Sequence, residues 1–187
     1  MNVKWDTDRI VGLSAMLVGL GSLFMVVYQT ALIRDQQKAS VLPYLMIAFN
    51  SSDAGSYIAL RNVGLGPAKI EQIRIRYEGK SFDGDPYQYY AQLAGAKVPA
   101  DRLYRDRVLP GMLIPAGTDL QMLGSPNSSV MYSELLRTFQ FVAVQDPRPS
   151  EETTAAPANR AVLEIEYASV YGERWRVRSD RVIPESL

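Results

Sequence analysis

Between Arg9 and Arg34 the chain runs through 24 consecutive residues without a charge, Ile10 to Ile33, and only Ser14, Ser22, Gln29 and Thr30 among them are polar. A helix needs about 20 apolar residues to cross the hydrocarbon core of a bilayer. Ten residues of Ile10–Tyr28 are Leu, Ile, Val or Phe. At roughly −0.3 to −0.6 kcal/mol each, they contribute on the order of −3 to −6 kcal/mol to insertion. A cleaved signal sequence has a shorter apolar region, about 7–15 residues, and then a small-x-small cleavage site. The stretch Tyr28-Gln29-Thr30-Ala31-Leu32-Ile33-Arg34 is a poor one. A buried core helix of a soluble protein would carry a polar stripe, and this segment has none. The sequence therefore predicts an uncleaved transmembrane helix over 10–33, a short tail over 1–9, a juxtamembrane helical extension over 34–41 and a separate domain over 42–187.

Lys4, Arg9 and the terminal amine precede the span, and Arg34 and Lys38 follow it. The positive-inside rule then favours a cytoplasmic N-terminus by a margin of one charge, with the following domain on the exported side. Gly12, Ala15, Gly19 and Ser22 recur at spacings that place them on one helical face. A small-xxx-small pair such as Ala15 and Gly19 lets two helix backbones approach closely, so a second helix, from another copy or a partner protein, is an expected occupant. The plainer reading is that small residues are common in membrane helices.

Composition removes several function classes. Lys plus Arg and Asp plus Glu both total 20, and there is neither Cys nor His. A nucleic-acid binder usually shows a basic excess. Without Cys and His there are no disulfides, no thiolate or imidazole metal sites and no imidazole general base. The sequence points to no catalytic residue, cofactor or resident metal.

Beyond residue 42 the pattern is of short strands punctuated by Gly and Pro, which suits a sandwich or barrel. Strands are expected over Leu42–Asn50, Tyr57–Val63, Ile73–Tyr77, Asp119–Leu123 and Thr138–Val144, before a closing hairpin. In that hairpin Leu163, Ile165 and Tyr167 alternate with Glu164 and Glu166, and Trp175 and Val177 alternate with Arg174, Arg176 and Arg178. A three-residue loop, Val170-Tyr171-Gly172, pairs Tyr167 with Trp175, Ile165 with Val177, Glu166 with Arg176 and Glu164 with Arg178. Apolar then meets apolar and acid meets base. Gly172 falls where this loop needs a left-handed residue. Two short helices are expected to interrupt the strands. One has Asp85 as N-cap, Pro86 at its first position and Gly95 as terminator. The other is capped by Ser128 or Ser129 and runs to about Leu136 or Arg137. The Pro- and Ala-rich stretch from Gln145 to Arg160 reads as a surface loop.

Few segments could carry chemistry. Asn62-Val63-Gly64-Leu65-Gly66-Pro67-Ala68 contains a G-x-G, but it precedes a strand, so no helix N-terminus faces an anion. It reads as a turn, with Gly supplying positive φ and Asn bonding the loop backbone. Asp83 and Asp85, with Asp101 and Asp106, could offer oxygens to a hard cation, although capping is the simpler role. Glu164 and Glu166 have a glycosidase-like separation but also have Arg partners. Tyr87, Tyr89, Tyr90, Arg102, Tyr104, Arg105 and Arg107 mix aromatic and basic side chains and form a candidate interaction surface. The same composition suits an amphipathic insertion packed on the sandwich.

The juxtamembrane run Arg34-Asp35-Gln36-Gln37-Lys38-Ala39-Ser40, the following Leu42-Pro43-Tyr44-Leu45, the Leu60-Arg61-Asn62 to Pro67-Ala68 segment and the closing hairpin from Glu166-Tyr167 to Tyr171-Gly172 together resemble a type of uncharacterised bacterial single-pass membrane-anchored protein. The resemblance implies a mainly β protein, an N-terminal transmembrane helix followed by an antiparallel, immunoglobulin-like β-sandwich with two short helical insertions, in the bacterial inner (plasma) membrane. It carries over no active residue. The function expected is a non-enzymatic interaction or accessory module within a larger or homo-oligomeric membrane assembly. The alternative is a membrane-tethered hydrolase working through carboxylates.

Overall fold

The structure, a computed structural model, describes residues 7–52, 55–93, 102–103, 105–126, 128–141 and 160–187. The chain divides into two compact units at Ser40/Val41. In the first, helix α1 runs over Thr7–Ser40. Every side chain of α1 that the structure describes is exposed. The helix is long and apolar enough to cross a membrane, a property that a signal sequence shares.

The second unit is mainly β. Its strands are β1 (Leu45–Ser52), β2 (Gly55–Asn62), β3 (Ala68–Tyr77), β4 (Lys80–Asp83), β5 (Leu113–Ile114), β6 (Asp119–Ser125), β7 (Val162–Ala168), β8 (Arg174–Arg178) and β9 (Glu185–Ser186), with helices α2 (Pro86–Gln92) and α3 (Ser128–Thr138). The strands form two sheets of orders β1-β2-β6 and β4-β3-β7-β8-β9, with β5 added beside β3. All strand pairs are antiparallel. One core joins the sheets: Leu45, Ile58, Leu60 and Met122 from the first meet Ile70, Ile73, Ile75, Leu163, Ile165 and Val177 from the second. Met131, Leu135 and Phe139, from α3 and the residue after it, close its side.

The predicted hairpin register holds at all four pairs. Tyr167 stacks on Trp175 with centroids 5.7 Å apart, and Gly172 has φ 85°. Asp85 caps α2 by accepting from the Gln88 amide at 2.8 Å, and Pro86 opens the helix. Leu93 ends α2 by donating to the Tyr90 carbonyl, while the expected terminator Gly95 lies outside the described residues. So do the Ser128 and Ser129 capping side chains and most of the Gln145–Arg160 loop, although α3 does begin at Ser128.

Three expectations need correction. Of the strand predicted over Thr138–Val144, Thr138 is the last residue of α3, Phe139–Phe141 form no strand, and residues 142–144 lie outside the described residues. The Phe139 amide donates back to the Leu135 carbonyl at 2.8 Å, and Phe139 then forms a single parallel bridge to Ala161. Its ring is buried in the core. The strand expected from Leu42 begins at Leu45, because the Leu42 and Tyr44 carbonyls accept from Leu65 and Val63 in the following loop. The glycines of that loop do not supply positive φ, since neither Gly64 nor Gly66 has it. A Cβ at Gly66 would overlap the Val41 backbone and one at Gly64 the backbone of Leu42 to Tyr44, so both are close-approach glycines. The β3–β4 turn was not anticipated. Glu78 and Gly79 both have positive φ, 47° and 74°, which is the two-residue hairpin geometry.

The Tyr167 hydroxyl is buried and accepts from the Leu45 amide at 3.3 Å, linking the two sheets. Burial pushes its ionisation up to about 12 from 10.0, against the Leu45 bond, which favours the phenolate. In the unfolded chain the phenol ionises near 10, so between the two values the unfolded state releases a proton that the folded state keeps. The domain should therefore keep its Tyr167 contribution below pH 10 and lose it as pH rises from 10 to 12. Phenolate absorbance of wild type against Tyr167→Phe tests this: the difference titration should show one late-ionising group, and a midpoint near 10 would refute it.

Candidate functional site

Glu164 and Glu166 stand on the outer face of the larger sheet, in two rows of paired positions. Asp83, Arg74, Glu164 and Arg178 lie across β4, β3, β7 and β8. Gln72, Glu166, Arg176 and Glu185 lie across β3, β7, β8 and β9. Alternating charge along a row neutralises each acid by its neighbours. The pairs are less uniform than the register alone suggests. Glu166 takes Arg176 at 2.8 Å. Arg178 points chiefly to Asp180, with bonds of 2.9 and 2.8 Å, and stays 3.6 Å from Glu164. The nearest cation to Glu164 is Arg76 of β3, at 2.9 Å. Glu164 is 2% exposed, so it is not the surface rung that the alternation predicts. Its oxygens lie close to these guanidinium groups but form no well-angled hydrogen bond. The Asp180 bonds raise the ionisation of Arg178.

A cleft of about 460 Å³ opens beside this face, lined by Glu71, Asp83, Asp85, Glu166 and Arg174 among others. Each of its acids is engaged. Glu71, extruded by a bulge in β3, pairs with Arg174. Asp83 meets Arg74 at 3.5 Å and Gln72 at 3.3 Å. Asp85 is spent on the α2 cap. Asp106 accepts from the Gln121 amide at 2.7 Å, and Asp101 lies outside the described residues. Among the described residues no group of three or more acids could hold a metal.

The aromatic–basic segment separates into two populations. Tyr90 is fully buried and its hydroxyl reaches Glu134 of α3 at 3.2 Å. Glu134 is itself buried and takes two bonds from Arg137, at 3.2 and 3.1 Å, which raise the ionisation of that guanidinium. Tyr89 sits between Phe82 and Phe139, at 5.7 and 5.9 Å between centroids, and burial raises its hydroxyl ionisation. Tyr90 therefore belongs to the core, and half-buried Tyr89 packs against it. Tyr90 lies four positions after buried Pro86 and so shares its helical face. Tyr87 is half-buried as well, with Arg105 stacked 3.8 Å over its ring, and Arg102 and Arg107 are exposed. Tyr104 lies outside the described residues. The seam residues Gly12, Ala15, Gly19 and Ser22 are exposed on α1, and a Cβ at Gly12 or Gly19 would meet nothing within 4 Å.

Another feature comes together in the folded domain. The end of β2, the start of β3, the end of β7, the start of β8 and the β5–β6 turn all meet at one pole of the domain. There Lys69 pairs with both Leu113 and Ala168, and Gly117 bonds to Asn62. Exposed large apolar side chains collect at this pole: Leu42, Val63, Leu65, Leu113, Val170 and Tyr171, with Leu65 75% exposed. Buried Asn62 ties it together. Its Oδ1 accepts from Gly64 at 3.1 Å and Tyr44 at 3.3 Å, and its Nδ2 donates to Gly66 at 2.8 Å and Ile114 at 3.0 Å. The sequence does hold a signal for this pole, namely Val63, Leu65, Val170 and Tyr171 at turn positions where polar residues are usual.

No protein-family model, curated protein or solved structure matches this chain.

Proposed function

We infer that the chain is a membrane-anchored interaction or accessory module, a subunit of a larger or homo-oligomeric assembly in a bacterial inner membrane, with its β domain on the exported side. The observation that carries this reading is α1, whose described apolar side chains are all exposed, Phe24 at 74% and Val18 at 69%. Apolar surface of that extent is stable against lipid or another apolar partner and not against water. The domain reads as an immunoglobulin-like sandwich. In support, naming strands β1, β2, β3, β4, β6, β7 and β8 as A, B, C, C′, E, F and G puts A-B-E in one sheet and C′-C-F-G in the other, a partition close to that fold's. The alternative, a tethered hydrolase, needs a carboxylate at liberty to exchange a proton. The acids of the cleft are held in ion pairs and a helix cap, which favours the binding role.

Alkaline carbonate extraction of the full chain from membranes tests the anchor: retention in the pellet is expected, and release would sink the reading. Association through the seam predicts that Gly19→Ile lowers a membrane two-hybrid signal several-fold, because the added side chain would hold a second backbone away. An unchanged signal would remove the seam from the assembly.

A further inference from the structure

We propose that the apolar pole of the β domain docks on the headgroup layer of the same bilayer that holds α1. The proposal rests on the anchored reading above. Val41 and Leu42, the first residues of the domain, belong to this pole, since the Leu42 carbonyl accepts from Leu65 at 3.0 Å and Gly66 at 3.3 Å. The apolar run ends at Ile33 and α1 continues only to Ser40. Those seven helical residues add about 10 Å of rise. The interfacial layer occupies about 5–8 Å on each side of the hydrocarbon. The covalent tether therefore enters the domain at this pole.

The chemistry of the pole suits that position. Leu42, Val63, Leu65, Leu113 and Val170 offer branched aliphatic tips, Tyr171 offers an amphipathic ring of the kind enriched at membrane interfaces, and exposed Lys69 lies in register with Leu113. The neighbouring charges are already neutralised, Arg61 by Asp119 and Arg174 by Glu71. At the opposite end, β3 and β4 turn at Glu78-Gly79, about 30 Å away by strand rise, beside exposed Lys80. That end also exposes Val182 and Ile183, in the turn between β8 and β9, but the tether does not enter there, so it offers a built-in control.

The chain contains no Cys, so single labels are clean. Leu65→Cys, Val170→Cys and Lys80→Cys would each carry an environment-sensitive fluorophore on the full chain in phosphatidylethanolamine–phosphatidylglycerol vesicles. Circular dichroism would check that each variant folds. Labels at 65 and 170 should emit to the blue of the label at 80 and lose their emission when the lipid is brominated high on its acyl chain, while the label at 80 should not. Equal, unquenched emission at all three sites from chain that still resists carbonate would overturn the docking and leave the anchor standing. Release by carbonate would overturn both. Blue-shifted labels at 65 and 170 that brominated lipid cannot quench would mean that protein covers the pole, which refutes the bilayer as its occupant. Quenching at all three sites would refute a polar orientation.

Discussion

Asn62→Ala should lower the stability of the β domain by about 3–4 kcal/mol, which for a domain of this size is roughly 10 °C in Tm. The side chain is 1% exposed and makes four hydrogen bonds, to Tyr44, Gly64, Gly66 and Ile114. Truncation leaves two amides and two carbonyls without their partner, and a buried polar group left unpaired costs about 1–3 kcal/mol. Water reaching the loop offsets part of that sum. Asn62→Asp sharpens the argument, because it keeps the shape but turns a donor into an oxygen facing the Gly66 and Ile114 carbonyls. It should destabilise at least as much as Ala. Thermal unfolding of the full chain in detergent, followed by circular dichroism, measures both. A Tm within about 2 °C of wild type for either variant would show that the hub is dispensable.

Gly66→Ala should cost about 3 kcal/mol by a different route. The backbone at Gly66 is not in the left-handed region, so alanine is conformationally allowed there. The cost is steric, since the new methyl would overlap the Val41 carbonyl and force Val41–Leu42 away. Moving that segment breaks the bonds that Leu65 and Gly66 donate to the Leu42 carbonyl. Overpacking of this kind typically costs 1–3 kcal/mol, and the lost backbone bonds add to it. Gly117→Ala is the matched comparison, with φ 73° and no atom within 4 Å of the added Cβ. It should show only the backbone penalty of about 1 kcal/mol. Amide exchange separates the two. Gly66→Ala should lose protection at Leu65, and Gly117→Ala should keep it. Retained protection at Leu65 in Gly66→Ala would rule the clash out.

These two residues also show where sequence reading succeeds. Asn62 was readable as a turn residue bonding its own loop, because the short amide reaches the next backbone groups without outside help. Its bond to Ile114, 52 positions away, was not readable. The loop glycines were recognisable as necessary, but the reason for them lies in Val41, which only the folded chain brings close. The same boundary runs through the charged face. Alternation and charge placed Glu164 opposite Arg178, yet the nearer cation, Arg76, comes from a strand paired on the other side. In the aromatic segment composition marked Tyr87, Tyr89 and Tyr90 alike, whereas the packing of α2 against Phe82, Phe139 and Glu134 makes Tyr90 core and leaves Tyr87 and Tyr89 half-buried at its edge.

By itself the sequence determined the long apolar helix, the α2 cap and the register of the last hairpin. Each depends on residues within a few positions of one another or on a strict two-residue period, so local geometry suffices. The tertiary structure alone decided which acids are buried, which tyrosines serve the core, and that apolar turns from distant parts of the chain gather at the pole carrying Leu42. Those outcomes depend on which strands become neighbours, and only closure of one core between two sheets settles that.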